Sequence, residues 1–207
     1  MSFHLSDHPL IAHKLHFLRD RETSPKLFRE LVSEITLLLA YEATRDLALE
    51  ATTVETPLAI APTRVLRGPR PVIVPILRAG LGMVEGVLRL IPFAKVGHIG
   101  LARNEETFRP QAYYQRMPPD MDSRLALLVD PMLATGGSAV AAINALKALG
   151  AVQIRFLNIV SAPPGVEALR QAHPDVAIFT AACDERLNDK AYILPGLGDA
   201  GDRIFGT

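Results

Sequence analysis

Residues 126–140 read ALLVDPMLATGGSAV, and this stretch decides the fold. Leu125 to Val129 is an apolar run of the kind a strand buried on both faces of a parallel sheet requires. Asp130 is a lone carboxylate at its tip, a short loop follows, and Thr135, Gly136, Gly137 and Ser138 stand where a helical run begins. Successive glycines let backbone N–H groups converge, the two hydroxyls add donors, and the helix N-terminus adds partial positive charge. Together they suit a phosphate dianion without any lysine. Asp130 would accept hydrogen bonds from a sugar diol beside that phosphate, so the pair points to a ribose phosphate. A Thr/Ser cap after a glycine turn would explain TGGS alone; the ordered series strand, Asp, loop, TGGS, helix favours the phosphate.

Outward from this unit, β-prone runs alternate with helical ones. Strands are expected at Val72–Leu77, Val96–Ala102, Ile154–Val160 and Val176–Phe179, and helices at Gly82–Leu90, Ser138–Leu149 and Gly165–Ala172. That alternation predicts an α/β fold with a parallel sheet flanked by helices. Two helices come first: one opened by Asp7 and Pro9, and a longer one with Ser24 as N-cap and Pro25 in its first turn. The longer carries Leu27, Leu31, Ile35 and Leu38 on one stripe with Phe28, Val32 and Leu39 beside it, more apolar surface than one core needs, which suggests a subunit interface and a homo-oligomer. The segment Thr52 to Val65, with Pro57 and Pro62, reads as a hairpin or edge strands.

The chain has 207 residues with 22 Lys+Arg against 22 Asp+Glu, enough for one domain and without the long-range positive field of a nucleic-acid coat or a membrane-surface protein. No nucleic-acid or membrane partner is expected. A single cysteine, Cys183, excludes an intramolecular disulfide and, with no signal-type segment, favours the cytoplasm. Of the basic residues 17 are Arg and 5 Lys; genomic codon bias explains such a count, so only arginines in telling places carry weight.

Two such places exist. Ligands of open α/β sheets sit outside the carboxyl ends of the strands. PILRAGLG, Pro75–Gly82, puts Arg78 just past a buried strand, and RNEET, Arg103–Thr107, puts a second arginine at another strand end. Glu105 and Glu106 read as a solvated face of a projecting arm rather than a metal site. Near the C-terminus ILPGLGDAGD, Ile193–Asp202, leaves backbone groups open for close approach to a flat heterocycle, or is simply a glycine-rich turn. It matches G-x-G-x-x-G, but only six residues follow Gly201, too few for the helix a dinucleotide site needs. No P-loop motif occurs. His8, His13 and His16 lack a completed ligand set, and Cys183 lacks an activating partner.

PILRAGLG, RNEET, VDPMLATGGS and PGLGDAGDRIFGT, in this order and spacing, closely resemble the uracil phosphoribosyltransferase family; FREL and YEAT in the second helix and AHPDV before the last strand extend the likeness over nearly the whole chain. The resemblance implies the type I phosphoribosyltransferase fold in a single domain, residues 1–207. Its parts would be a helical N-terminal extension (1–50), a β-arm (103–117) and a C-terminal hood (183–207). It implies conversion of uracil and phosphoribosyl diphosphate (PRPP) to UMP and diphosphate in pyrimidine salvage, with Mg2+ arriving on the diphosphate. Residue by residue, it places the phosphoribosyl group on Asp130, Pro131, Met132, Leu133, Ala134, Thr135, Gly136, Gly137 and Ser138, with Asp130 at the ribose hydroxyls. Arg78 and Arg103 go to PRPP, Ile193, Gly198, Asp199 and Ala200 to uracil, and Asp199 also to the diphosphate side. Asp130, Arg78 and Arg103 are the expected catalytic residues.

Val129 stands where many type I relatives carry a second acid, a feature of the uracil-specific members, and Arg186 in CDERLND stands where a smaller residue is expected. Some relatives respond to GTP, and the sequence leaves that effector open. The alternative on the same fold, a regulatory protein that senses pyrimidine nucleotides and binds RNA, predicts a basic face that the balanced charge does not support.

Overall fold

The computed structural model describes residues 2–103 and 110–207; the side chains of 103, 110 and 111 also lie outside the description. The chain opens with a short strand, β1 (Phe3–Leu5), then α1 (Pro9–Arg19) and α2 (Pro25–Ala43). His8 rather than Asp7 caps α1, its ring Nδ1 accepting the Leu10 N–H, while Ser24 caps α2 by accepting from Leu27. A two-stranded ribbon follows, β2 (Leu49–Glu55) paired antiparallel with β3 (Ile60–Leu66).

The α/β part then runs β4 (Val72–Leu77), α3 (Leu81–Leu90), β5 (Lys95–Val96), β6 (His98–Arg103), β7 (Pro110–Arg116), a 3-10 turn (Met121–Ser123), β8 (Leu125–Val129), β9 (Met132–Leu133) and α4 (Gly137–Ala148). After these come β10 (Gln153–Ser161), α5 (Pro163–Ala172), β11 (Ala177–Cys183), β12 (Arg186–Leu187), β13 (Ile193–Leu194) and α6 (Ala200–Phe205). The predicted β4 and β8 agree with the structure to the residue, and Gly150 follows α4 with a positive φ, as a helix stop should.

The main sheet is ordered β1-β11-β10-β8-β4-β6-β7, parallel except for the β6–β7 pair. From β4 the chain moves outward to β6, then returns to place β8 on the other side of β4. The winding therefore reverses between β4 and β8, which is where an open α/β sheet forms its ligand crevice. Side-chain alternation agrees. Ile73, Leu127, Val129 and Leu157 face a core shared with α1, α2, α3 and α6. Val72, Val74, Ala126, Leu128 and Phe156 face a second core under α4 and α5.

Two N-terminal expectations need correcting. Residues 1–50 are not a purely helical appendage, because β1 pairs with β11 inside the main sheet and Leu49 already belongs to the ribbon. Phe3-His4-Leu5 alternates apolar and polar but is too short to stand out as a strand; the open edge of β11 supplies the pairing. Nor does most of the apolar stripe of α2 need a partner subunit: Phe28, Leu31, Val32, Ile35 and Leu39 are buried within the chain, against α3, β10 and α6, while Leu27 stays 40% exposed and Leu38 half-buried. No helix among the described residues is long and apolar enough to cross a membrane.

Candidate active site

Past the tip of β8 the chain is held tightly from below. The Asp130 N–H donates to Leu157, the Pro131 carbonyl accepts from both Ile159 and Val160, and the Leu133 carbonyl accepts from Ala162. Together with the β9–β10 pairing these bonds fix residues 130–133 on β10 and the residue after it. Gly136 takes φ +84°, a conformation that favours glycine, and the chain turns into α4 there. Behind the turn α5 approaches so closely that a Cβ on Gly165 would lie 2.5 Å from the Ala134 carbonyl oxygen and 2.7 Å from that of Leu133. The first-turn N–H groups of α4 have no intrahelical partner, and no side chain caps them. Thr135 and Ser138 are exposed beside them. Pro131 and Leu133 point into the protein, and only their backbone faces the loop.

Asp130 is half-buried at the strand tip. Burial pushes its carboxyl up to about 7, against the opposing hydrogen bond from the Met132 N–H. It thus exchanges a proton near neutrality and gains from donors that would stabilise its charged form.

Arg78 follows β4 across the crevice. Its side chain is exposed, with the guanidinium carbon 5.7 Å from the centre of the Phe205 ring at the chain's end. Arg103 ends β6, the strand beyond β4; its side chain and residues 104–109 of the expected arm lie outside the described residues.

The third wall is the C-terminal segment. β12 and β13 pair, Asn188 closes their turn by accepting from the N–H groups of Lys190 and Tyr192, and Asp199 caps α6 by accepting from Asp202. Arg186 is exposed on β12, so the larger side chain is accommodated in solvent. Arg203 donates to the carbonyls of Leu18 and Leu197 at 2.7 and 2.9 Å, and Arg29 to that of Ile204 at 2.8 Å, tying this segment to the N-terminal helices.

A cleft of about 250 Å³ joins the walls. Of the predicted residues Asp130, Met132, Ala134, Ile193, Gly198, Asp199 and Ala200 line it together, whereas Arg78, Pro131, Leu133 and Thr135–Ser138 do not; Gly201, from the stretch read as open to a heterocycle, also lines it, and Ala79, Ala191 and Tyr192 complete it and were not foreseen. The two alanines gave no chemical signal. Tyr192, next to Ile193, could have been found by asking which side chain brackets the heterocycle, since an aromatic face suits a flat ring. A larger groove of about 1070 Å³ runs between β1 and α2 but includes none of the predicted residues.

The N-terminal histidines have structural partners: His8 caps α1, and His13 and His16 both pack edge-on against Phe17. Among the described residues no group of three potential ligands could cage a metal ion. Burial, then the Asp184 carboxylate, push the Cys183 thiol up, the reverse of what a nucleophile needs.

Comparison with known proteins gives the family and the fold. A family model described as uracil phosphoribosyltransferase matches residues 5–207. A uracil phosphoribosyltransferase of Geobacillus sp. (strain WCH70) is 59% identical over 201 residues, covering 97% of this chain and 96% of the relative. Among solved structures, the AQ2163 protein from Aquifex aeolicus superposes with a TM-score of 0.93 at 39% identity, covering 99% and 98% of the two chains. A hypoxanthine phosphoribosyltransferase from Staphylococcus aureus, 13% identical with a TM-score of 0.52 over 77% of this chain and 76% of that one, shares the fold alone.

Proposed function

The chain belongs to the uracil phosphoribosyltransferase family, and on that premise we propose that its cleft transfers the 5-phosphoribosyl group of PRPP to N1 of uracil. The bond from C1′ to the diphosphate oxygen breaks, the C1′–N1 bond forms, the N1 proton is lost, and UMP and diphosphate leave. The observation that carries this reading is the cleft itself: Asp130, Met132 and Ala134, where the phosphate-type loop begins, face Tyr192, Ile193 and Gly198–Ala200 across it, while Arg78 and Thr135–Ser138 lie beyond its lining, at the β4 end and the α4 N-terminus.

On the first wall the open N–H groups of the α4 N-terminus, with Thr135 and Ser138, hold the 5′-phosphate, and Asp130 accepts from the ribose hydroxyls. On the second, backbone groups of Ile193, Gly198 and Ala200 read the base. Replacing the uracil C4 oxygen by the amine of cytosine turns an acceptor into a donor and leaves a buried group unpaired. Tyr192 covers the ring. Arg78 and Arg103 meet the diphosphate, where negative charge grows as C1′ acquires oxocarbenium character. Mg2+ arriving on the diphosphate would supply further positive charge there, with Asp130 and Asp199 the cleft carboxylates that would be available to it. No side chain is assigned as base for N1.

A homo-oligomer is part of this reading, supported by Leu58 and Ile60, which stand 97% and 73% exposed on the β2–β3 ribbon. The free thiol of Cys183 suits a reducing cytoplasm.

The test is formation of UMP from uracil and PRPP with Mg2+, followed by chromatography, in the parent and in Arg78→Ala. The parent forms UMP. The variant needs roughly tenfold more PRPP for half-saturation while its uracil requirement moves far less. An unchanged PRPP requirement removes Arg78 from the site.

A further inference from the structure

The wall assigned to uracil has little rigidity of its own: two two-residue strands, a glycine-bearing turn at 195–198 and the six-residue α6. What fixes it reaches in from the other end of the chain. Arg19, the last residue of α1, donates from its two terminal nitrogens to the two carboxylate oxygens of Asp184, both at 2.7 Å, and also to the Gly196 carbonyl at 2.8 Å. Asp184, 7% exposed, accepts the Gly196 N–H at 2.8 Å as well. One ion pair, formed between residues 165 apart in sequence, therefore holds both the N–H and the carbonyl of Gly196. The planar fork of the guanidinium meets both carboxylate oxygens from two nitrogens while one of them also reaches Gly196, a geometry the single nitrogen of an ammonium does not reproduce.

Gly196 in turn lies directly against Ile193. A Cβ there would sit 2.9 Å from the Ile193 carbonyl carbon. With no slack between them, displacement of Gly196 moves the Ile193 carbonyl, one of the backbone groups assigned to the base. Burial by itself would raise the Asp184 carboxyl, but Arg19 and the Gly196 N–H outweigh it and hold the group below its ordinary value, so the pair stays ionised. On the opposite wall, residues 130–138 share no hydrogen bond with Arg19 among the described residues and are held by β10 and α5 instead.

We infer that Arg19 is a positioning residue for the base: through Asp184 and Gly196 it sets the orientation of the Ile193–Ala200 backbone that reads uracil, without touching either substrate. This rests on the placement of uracil proposed above. Its signature is one-sided, on the base and not on PRPP.

The experiment compares the parent with Arg19→Met and Arg19→Lys, varying uracil and PRPP separately and checking the fold of each protein by circular dichroism. Arg19→Met raises KM for uracil roughly tenfold and narrows the preference for uracil over cytosine. Arg19→Lys shows a smaller rise, and KM for PRPP stays within about twofold in both. A purely structural residue would lower the melting temperature and the active fraction while leaving KM for uracil alone; that result overturns the inference, as do equal rises in both KM values or loss of the fold in both variants. A parent enzyme that does not turn uracil over at all overturns the uracil reading itself, which separates the two failures.

Discussion

Asp130→Asn loses roughly tenfold or more in turnover, yet melts at a higher temperature than the parent at pH 8. The first effect follows from replacing a carboxylate, which accepts from both ribose hydroxyls, by an amide that presents one acceptor and one unwanted donor. The second follows from where the carboxyl sits. Burial raises its pKa in the folded protein to about 7, from 3.8 in a free chain. A group shifted in this direction favours the fold below the lower value, and that contribution disappears as pH rises through the higher one, leaving a cost of at most roughly 4 kcal/mol. Asn carries no such cost, so the variant's advantage is full above pH 7 and vanishes near pH 4. The parent should also bind PRPP more tightly as pH rises through 7, because the ionised form meets the sugar; the variant should not. Melts and PRPP titrations at pH 5 and 8 check both halves. Equal melting temperatures at the two pH values, relative to the parent, or equal turnover at saturation would contradict this role.

Gly165→Ala damages the phosphate side from behind. The added methyl would meet the Ala134 and Leu133 carbonyl oxygens at 2.5 and 2.7 Å, and Leu133 is already held by its pairing with β10 and by the Ala162 N–H, so α5 or the loop must move. Overpacking of this kind costs roughly 1–3 kcal/mol of stability. The loop, more exposed than the sheet beneath it, yields first, and KM for PRPP rises roughly tenfold while KM for uracil changes little. Steady-state kinetics and thermal melts measure the two effects. An unshifted KM for PRPP would show that the loop's backing does not set its geometry.

The residues that made the fold legible were those under two-sided burial. Val72–Leu77 and Leu125–Val129 are continuous apolar runs because both faces are covered, and each is followed at once by punctuation, Arg78-Ala79-Gly80 or Asp130-Pro131. The candidate site was legible wherever chemistry was local in sequence, as in Asp130 with Thr135–Ser138. Hidden were features that arise only when distant segments meet. β1 exists because β11 offers an edge. Gly165 reads as an ordinary helix start until α5 is seen pressed on the loop. Arg19 and Asp184 carry no motif, and their pairing needs the folded chain. That most of the α2 stripe is covered within the chain was hidden for a similar reason: an N-terminal helix looks peripheral in sequence, whereas here α3 and α6 close over it, leaving Leu27 and part of Leu38 open.

The central claim is that backbone groups of the C-terminal wall select uracil for a phosphoribosyl group held on the Asp130 loop. Its most direct test is the initial rate of diphosphate release from PRPP and Mg2+ with uracil, cytosine, hypoxanthine or orotate supplied in turn. Release with uracil alone is the predicted result; comparable release with cytosine, or release with hypoxanthine or orotate in place of uracil, would contradict it.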